Sequence, residues 1–169
     1  MATAQYVPLY ESHDTMIVYL SGAIENAPDS GGGWREEMSL WLKETLQHDS
    51  FNPVEVEKTL LTQEELENFR SWKTDDYDRF KKVVRRIIDN DLTYLLNETD
   101  YVICLWDKYV LAGGGTHGEL TMASHCSIPV YTVLGMPRRE VSSWILGCCT
   151  EEFESFDLLR QFLEERYGK

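Results

Sequence analysis

Tyr101-Val102-Ile103-Cys104-Leu105-Trp106, then Gly113-Gly114-Gly115-Thr116-His117-Gly118-Glu119, then Ile128-Pro129-Val130-Tyr131-Thr132-Val133-Leu134, is the stretch whose reading decides the fold. The two flanking runs are continuously apolar, the pattern of strands buried on both faces. Between them three glycines interrupt regular structure, and a helical stretch then runs from Thr116 to about Ser124. A strand-loop-helix-strand unit of this kind predicts a parallel pair joined by a crossover helix.

Working outward, Met16 to Leu20 is another apolar run, and it ends in Ser21-Gly22, as a buried strand feeding a loop does. Beyond the Pro/Gly/Ser stretch from Pro28 to Gly33, apolar residues recur at Trp34, Met38, Trp41, Leu42 and Thr45 or Leu46, the spacing of one helix face. Phe51-Asn52-Pro53-Val54 reads as a short second strand, because Pro53 pushes its predecessor out of helical geometry. Thr62 and Glu65 form a capping-box pattern that opens a helix through Phe69. From Asp75, Phe80, Val83, Val84, Ile87, Ile88, Leu92 and Leu95 keep helical spacing towards Leu96, with Lys81, Lys82, Arg85 and Arg86 on the polar face. Phe156, Leu159, Phe162 and Leu163 mark a last helix between Ser155 and Tyr167.

The 169 residues, 43% hydrophobic with five prolines, suffice for one substantial core, so residues 1–169 are expected to be a single domain. Residues 1–14 are expected to be an irregular N-terminal extension. With 29 acidic against 16 basic side chains the net charge is -13, which repels nucleic acids and acidic membrane surfaces. A small neutral ligand suffers far less from that field, and a monophosphate could still bind where local amides and one arginine outweigh it, so charge alone does not choose between them. Cys104, Cys126, Cys148 and Cys149 form no C-x-x-C pair and read as reduced, mostly buried thiols. No basic-then-apolar leader and no apolar run of membrane-spanning length occur, so a cytoplasmic location is expected, with no membrane partner.

Ligands of parallel α/β sheets bind at the carboxyl ends of the strands. Three segments are placed there: Tyr19-Leu20-Ser21-Gly22-Ala23, Trp106-Asp107 with the glycine loop, and Gly115-Thr116-His117-Gly118-Glu119. The glycines permit close approach of a ligand, but without a Gly-Lys-Ser/Thr ending they are no nucleoside-triphosphate loop. Thr116 and Glu119 match a capping box, so the plain reading folds Glu119 back onto the Thr116 amide. The alternative makes Glu119 a nucleophile, kept ionised by the helix dipole in the first turn. Both readings expect it deprotonated. His117 and His125 lack a third ligand at metal spacing, and no metal is expected. Trp34 and Trp41 read as core. Arg35 stands near a helix start, where a phosphate would bind, but a solvated arginine is the simpler expectation.

Val18-Tyr19-Leu20 followed by Ser21-Gly22-Ala23, then Asn90-Asp91-Leu92, Thr99-Asp100-Tyr101-Val102, Gly115-Thr116-x-x-Glu119-Leu120 and Ile128-Pro129-Val130 resemble the nucleoside 2-deoxyribosyltransferase family in order and spacing, over roughly Met16 to Leu134. The resemblance implies that Glu119 attacks the sugar C1′, that Asp91 handles the base, and that Tyr19 contacts the nucleophile. From the segments placed at the strand ends, Ser21, Gly22, Ala23, Asp107, Gly115 and Thr116 are the substrate-binding candidates. Family members often carry a further acidic residue just before the glycines, where this chain has Leu111-Ala112-Gly113; Asp107 is the nearest substitute, and Asp89 is expected to favour a protonated Asp91 by like-charge repulsion.

The expectation is therefore a flavodoxin-like or Rossmann-like α/β sandwich, with a mostly parallel central sheet and helices on both faces. It transfers 2-deoxyribosyl groups between nucleobases through a covalent Glu119 adduct. No cofactor is expected; the resemblance implies a homo-oligomer, and the expected partners are nucleosides and free bases. The alternatives are an N-glycosidase in which water resolves the adduct, and a non-catalytic nucleotide-sensing or interaction module on the same fold.

Overall fold

The computed structural model describes residues 15–168, so the extension expected over residues 1–14 lies outside the described residues. Five parallel strands, β1 (Ile17–Gly22), β2 (Asp49–Phe51), β3 (Tyr101–Trp106), β4 (Val130–Leu134) and β5 (Glu151–Phe153), form one sheet in the order β2-β1-β3-β4-β5. This is the flavodoxin-like order, whose direction of winding reverses between β1 and β3.

Strand alternation divides the core. Tyr19, Val102, Cys104, Trp106 and Val130 face α5 (Tyr77–Asn97), α6 (Gly115–His125) and α7 (Ser143–Cys148), meeting Leu95, Leu120, Ala123 and Ile145. Val18, Leu20, Tyr101, Ile103, Tyr131 and Val133 face the other way. There they meet Met38 of α1 (Gly32–Trp41) and Leu159 and Leu163 of α8 (Phe156–Tyr167), with Trp34 and Trp41 packed alongside as expected. Both faces are thus covered, which explains why β1, β3 and β4 are apolar at nearly every position.

The structure corrects several local expectations. Pro53 does not belong to a strand: β2 stops at Phe51, Asn52 accepts the Val54 N–H through its side chain, and Pro53 is the first residue of α2 (Pro53–Leu60). Proline fits that position because its missing N–H has no helical partner there anyway. The Thr62–Glu65 capping box forms as read and opens α3 (Gln63–Asn68), which leads into the short α4 (Trp72–Asp75). These helices enclose a small core of their own, Leu61, Phe69 and Trp72 against Val83 of α5. Of the four cysteines, all free, only Cys104 is fully buried. Among the described residues no helix is long and apolar enough to cross a membrane.

Candidate active site

Glu119 is where the plain reading fails. Helix α6 begins at Gly115 with Gly114 as its N-cap and no side-chain cap, so Glu119 falls beyond the first turn and out of reach of the Thr116 amide. Its carboxylate turns to the end of β1 instead. The Tyr19 hydroxyl donates to Glu119 Oε1 at 2.9 Å, and the Ser21 hydroxyl donates to Oε2 at 2.5 Å. Tyr19 and Ser21 are two apart on β1 and therefore present their side chains to the same face of the sheet.

These groups sit at the switch point. The cavity beside them has a volume of about 470 Å³, within the range of small-molecule sites. Gly22 and Ala23, the glycine loop Gly113–Gly115, Thr116, Asp91 and Glu119 all line it. Its far wall was not foreseen: Glu57 from α2, Phe69 and Arg70 at the end of α3, and Val84, Ile87 and Leu92 of α5. Arg70 and Glu57 lie 3.5 Å apart, and Lys73 of the same helical excursion reaches Glu25 of the β1 loop at 3.3 Å.

The electrostatics depart from a simple helix-dipole picture. Glu119 keeps a strip of surface towards the cavity, but its carboxyl group is enclosed, and that burial raises its pKa. The Ser21 and Tyr19 hydroxyls and the positive Arg35 pull it back down without reversing the direction. The expectation of an untroubled carboxylate is corrected accordingly. Tyr19, raised well above the ordinary tyrosine value by burial and by the Glu119 charge, remains a neutral donor. Asp91 is pushed up to about 7, first by burial and then by the negative Glu119 and Glu57; the Asn90 side chain, donating to Asp91 Oδ1 at 3.1 Å, opposes the shift. Asp89, expected to supply the repulsion, is exposed and plays no part in it.

Two other placements differ from expectation. Asp107 accepts the Tyr109 N–H at 2.9 Å, capping the 3-10 turn over Lys108–Ala112, and does not line the cavity. Arg35 is not solvated: it is wholly buried and donates to four backbone carbonyls. The sequence signal for it was slight, since an arginine in a first helical turn normally reads as surface. His117 packs its ring edge-on to Trp106, and no group of three or more metal-ligating side chains occurs among the described residues.

Parallel α/β sheets hold small molecules at the switch point, and here a glutamate, an aspartate and a tyrosine gather there beside one cavity. No family model matches the chain, and no curated protein matches it. Among solved structures, the fold is similar to that of a 2-deoxyribosyltransferase from the psychrotolerant bacterium Bacillus psychrosaccharolyticus, described as a biocatalyst for nucleoside synthesis. The TM-score is 0.58 and the identity 20%, over 85% of this chain and 90% of that one. At this identity the likeness is one of fold.

Proposed function

We propose that the protein transfers a 2-deoxyribosyl group between nucleobases by double displacement at Glu119. The observation that carries this reading is the pairing of two enclosed carboxyl groups in different states of support: Glu119, held by two hydroxyl donors, and Asp91, poised near 7 in the same cavity. Glu119, accepting from both hydroxyls, takes the part of nucleophile, and Asp91, which keeps a proton to give, takes that of acid. In the first step a Glu119 oxygen bonds to C1′, the C1′–N bond breaks with its electron pair moving to the base, and Asp91 gives its proton to a ring nitrogen. In the second step the incoming base attacks C1′ from the side its predecessor left, Glu119 departs as carboxylate, and Asp91 recovers a proton. Two inversions give net retention. The family resemblance in the motifs and the shared fold with a 2-deoxyribosyltransferase both support this reading.

The test is chromatography after incubating the protein with deoxyinosine or thymidine, with and without adenine. New deoxyadenosine is the expected product. Free base without an exchanged nucleoside would replace transfer with N-glycoside hydrolysis, and no turnover of any nucleoside or nucleotide would leave only a binding module.

Self-association belongs to the same reading. On α5, Ile88, half exposed, continues into Leu92 and Leu96 at helical spacing along a shallow groove, and Ile88 and Leu92 also line the active cavity. A second copy packed there covers the cavity rim. Light scattering is expected to give a multiple of the single-chain mass, reduced towards the monomer by Ile88→Asp; a wild type monomeric at all concentrations removes this part of the reading.

A further inference from the structure

Arg35 is wholly buried, yet no ion pair joins it to a described carboxylate. Its Nε donates to Leu20 O at 3.1 Å, Nη2 to Gly22 O at 2.8 Å, and Nη1 to Ala23 O at 3.2 Å and Gly31 O at 2.7 Å. The guanidinium also lies over the Trp34 ring, 4.7 Å from its centroid. β2 ends opposite Tyr19, so beyond that point β1 keeps β3 as a neighbour on one side and has no strand on the other. Arg35 supplies the missing donors. Two of its acceptors, Leu20 and Gly22, flank Ser21, whose hydroxyl donates to Glu119. The fit is tight: Gly31 adopts φ +70°, and a Cβ there would lie 2.3 Å from Arg35 Nη1. A neutral side chain could satisfy carbonyls at far lower desolvation cost than a buried cation, so the charge itself has a use.

We propose that Arg35 is a positioning residue for the nucleophile: it clamps the peptide groups on both sides of Ser21, aiming that hydroxyl at Glu119, and it brings a buried cation to the strand end that carries the nucleophile's two donors. The inference rests on the reading of Glu119 as nucleophile. The groups facing Glu119 are Tyr19 and Ser21 from β1, Cys104 from β3, Asp91 from α5 and Arg35 from α1. Arg35 is the cation among them, and it opposes the effect of burial. A role confined to holding the loop requires the fork of donors but not the charge; the proposal requires both.

The experiment is a carbon-13 NMR titration of the Glu119 carboxyl, assigned with Glu119→Gln, in the wild type, Arg35→Gln and Arg35→Lys. It is combined with hydrogen exchange at the Gly22 and Ala23 amides and pH profiles of nucleoside exchange. Arg35→Gln is expected to raise the Glu119 midpoint, move the acid limb of kcat/KM upward with it, and lower kcat by roughly 10²-fold, the scale of a small misplacement of reacting groups. Arg35→Lys keeps the charge but loses the fork, so the midpoint stays near that of the wild type while the loop amides exchange faster and kcat falls. A folded Arg35→Gln protein with an unmoved midpoint overturns the proposal. If that variant does not fold, Arg35→Lys decides: unchanged amide exchange and kcat overturn it, and failure of both variants to fold assigns Arg35 a scaffold role alone. A wild type without transfer activity sinks the functional reading instead, since the NMR titration reads the coupling of Arg35 to Glu119 without turnover.

Discussion

Glu119→Gln abolishes base exchange, with an expected loss of about 10⁴-fold or more, the scale seen when a covalent nucleophile is removed. The amide keeps the shape of the carboxyl and still accepts from Tyr19 or Ser21, so the cavity persists but no oxygen remains that can form a glycosyl ester. Chromatography of the deoxyinosine and adenine reaction measures the loss. The same substitution is expected to raise the melting temperature at neutral pH. Burial lifts the carboxyl pKa in the folded state above its unfolded value, so folding favours the protonated form. The stability associated with that proton is present at low pH and is lost as pH rises from the unfolded towards the folded pKa. The wild type therefore carries a destabilised carboxylate at neutrality, and glutamine does not. A variant that keeps exchange within tenfold of the wild type would falsify the nucleophile assignment.

How much of this was legible depended on where the deciding interactions lie. β1, β3 and β4 could be read because burial on both faces leaves an unbroken apolar run, and α5 because 21 residues sustain one helical period. β2 and β5 have three residues each and α7 has six, too few for any period to emerge. At Pro53 two rules competed: the same ring that ends β2 also suits the start of α2. Tyr19 and Glu119 could be placed together because the carboxyl half of β1 and the start of α6 meet at one switch point, whereas Asp91, inside α5, was indicated by the family resemblance alone. Their environment could not be read. The Thr116-x-x-Glu119 pattern misled because the helix starts two residues earlier than a capping box needs, and Glu119 then meets a strand about 100 residues away in sequence. Glu57 and Arg70 carried no signal at all, since they reach the cavity only through the packing of α2 against α5 and of the small core around Phe69 against Val83.

Asp91→Asn is expected to slow base release by ~10²- to 10⁴-fold, the usual contribution of a general acid, and to leave a different trace from Glu119→Gln. With its pKa at about 7, Asp91 holds its proton in roughly half of the molecules at neutrality. The first half-reaction needs that proton, so single-turnover release of base from donor falls as pH rises above about 7. The second half-reaction needs the carboxylate, so capture of the glycosyl group by an acceptor base falls as pH drops below the same value. Asp91→Asn removes both limbs. A deoxyriboside whose leaving group requires no protonation, such as a nitrophenyl derivative, is expected to recover much of the lost rate in the first step, which no variant at Glu119 can do. Linkage supplies an independent reading on the free protein. The folded pKa of Asp91 exceeds its unfolded value, so its stabilising proton is fully present below about 4 and is lost as pH rises to about 7, a loss that the asparagine variant does not show. Base release with the wild-type pH profile in Asp91→Asn would move the acid elsewhere, and Glu57, on the far wall of the same cavity, is then the group to replace next.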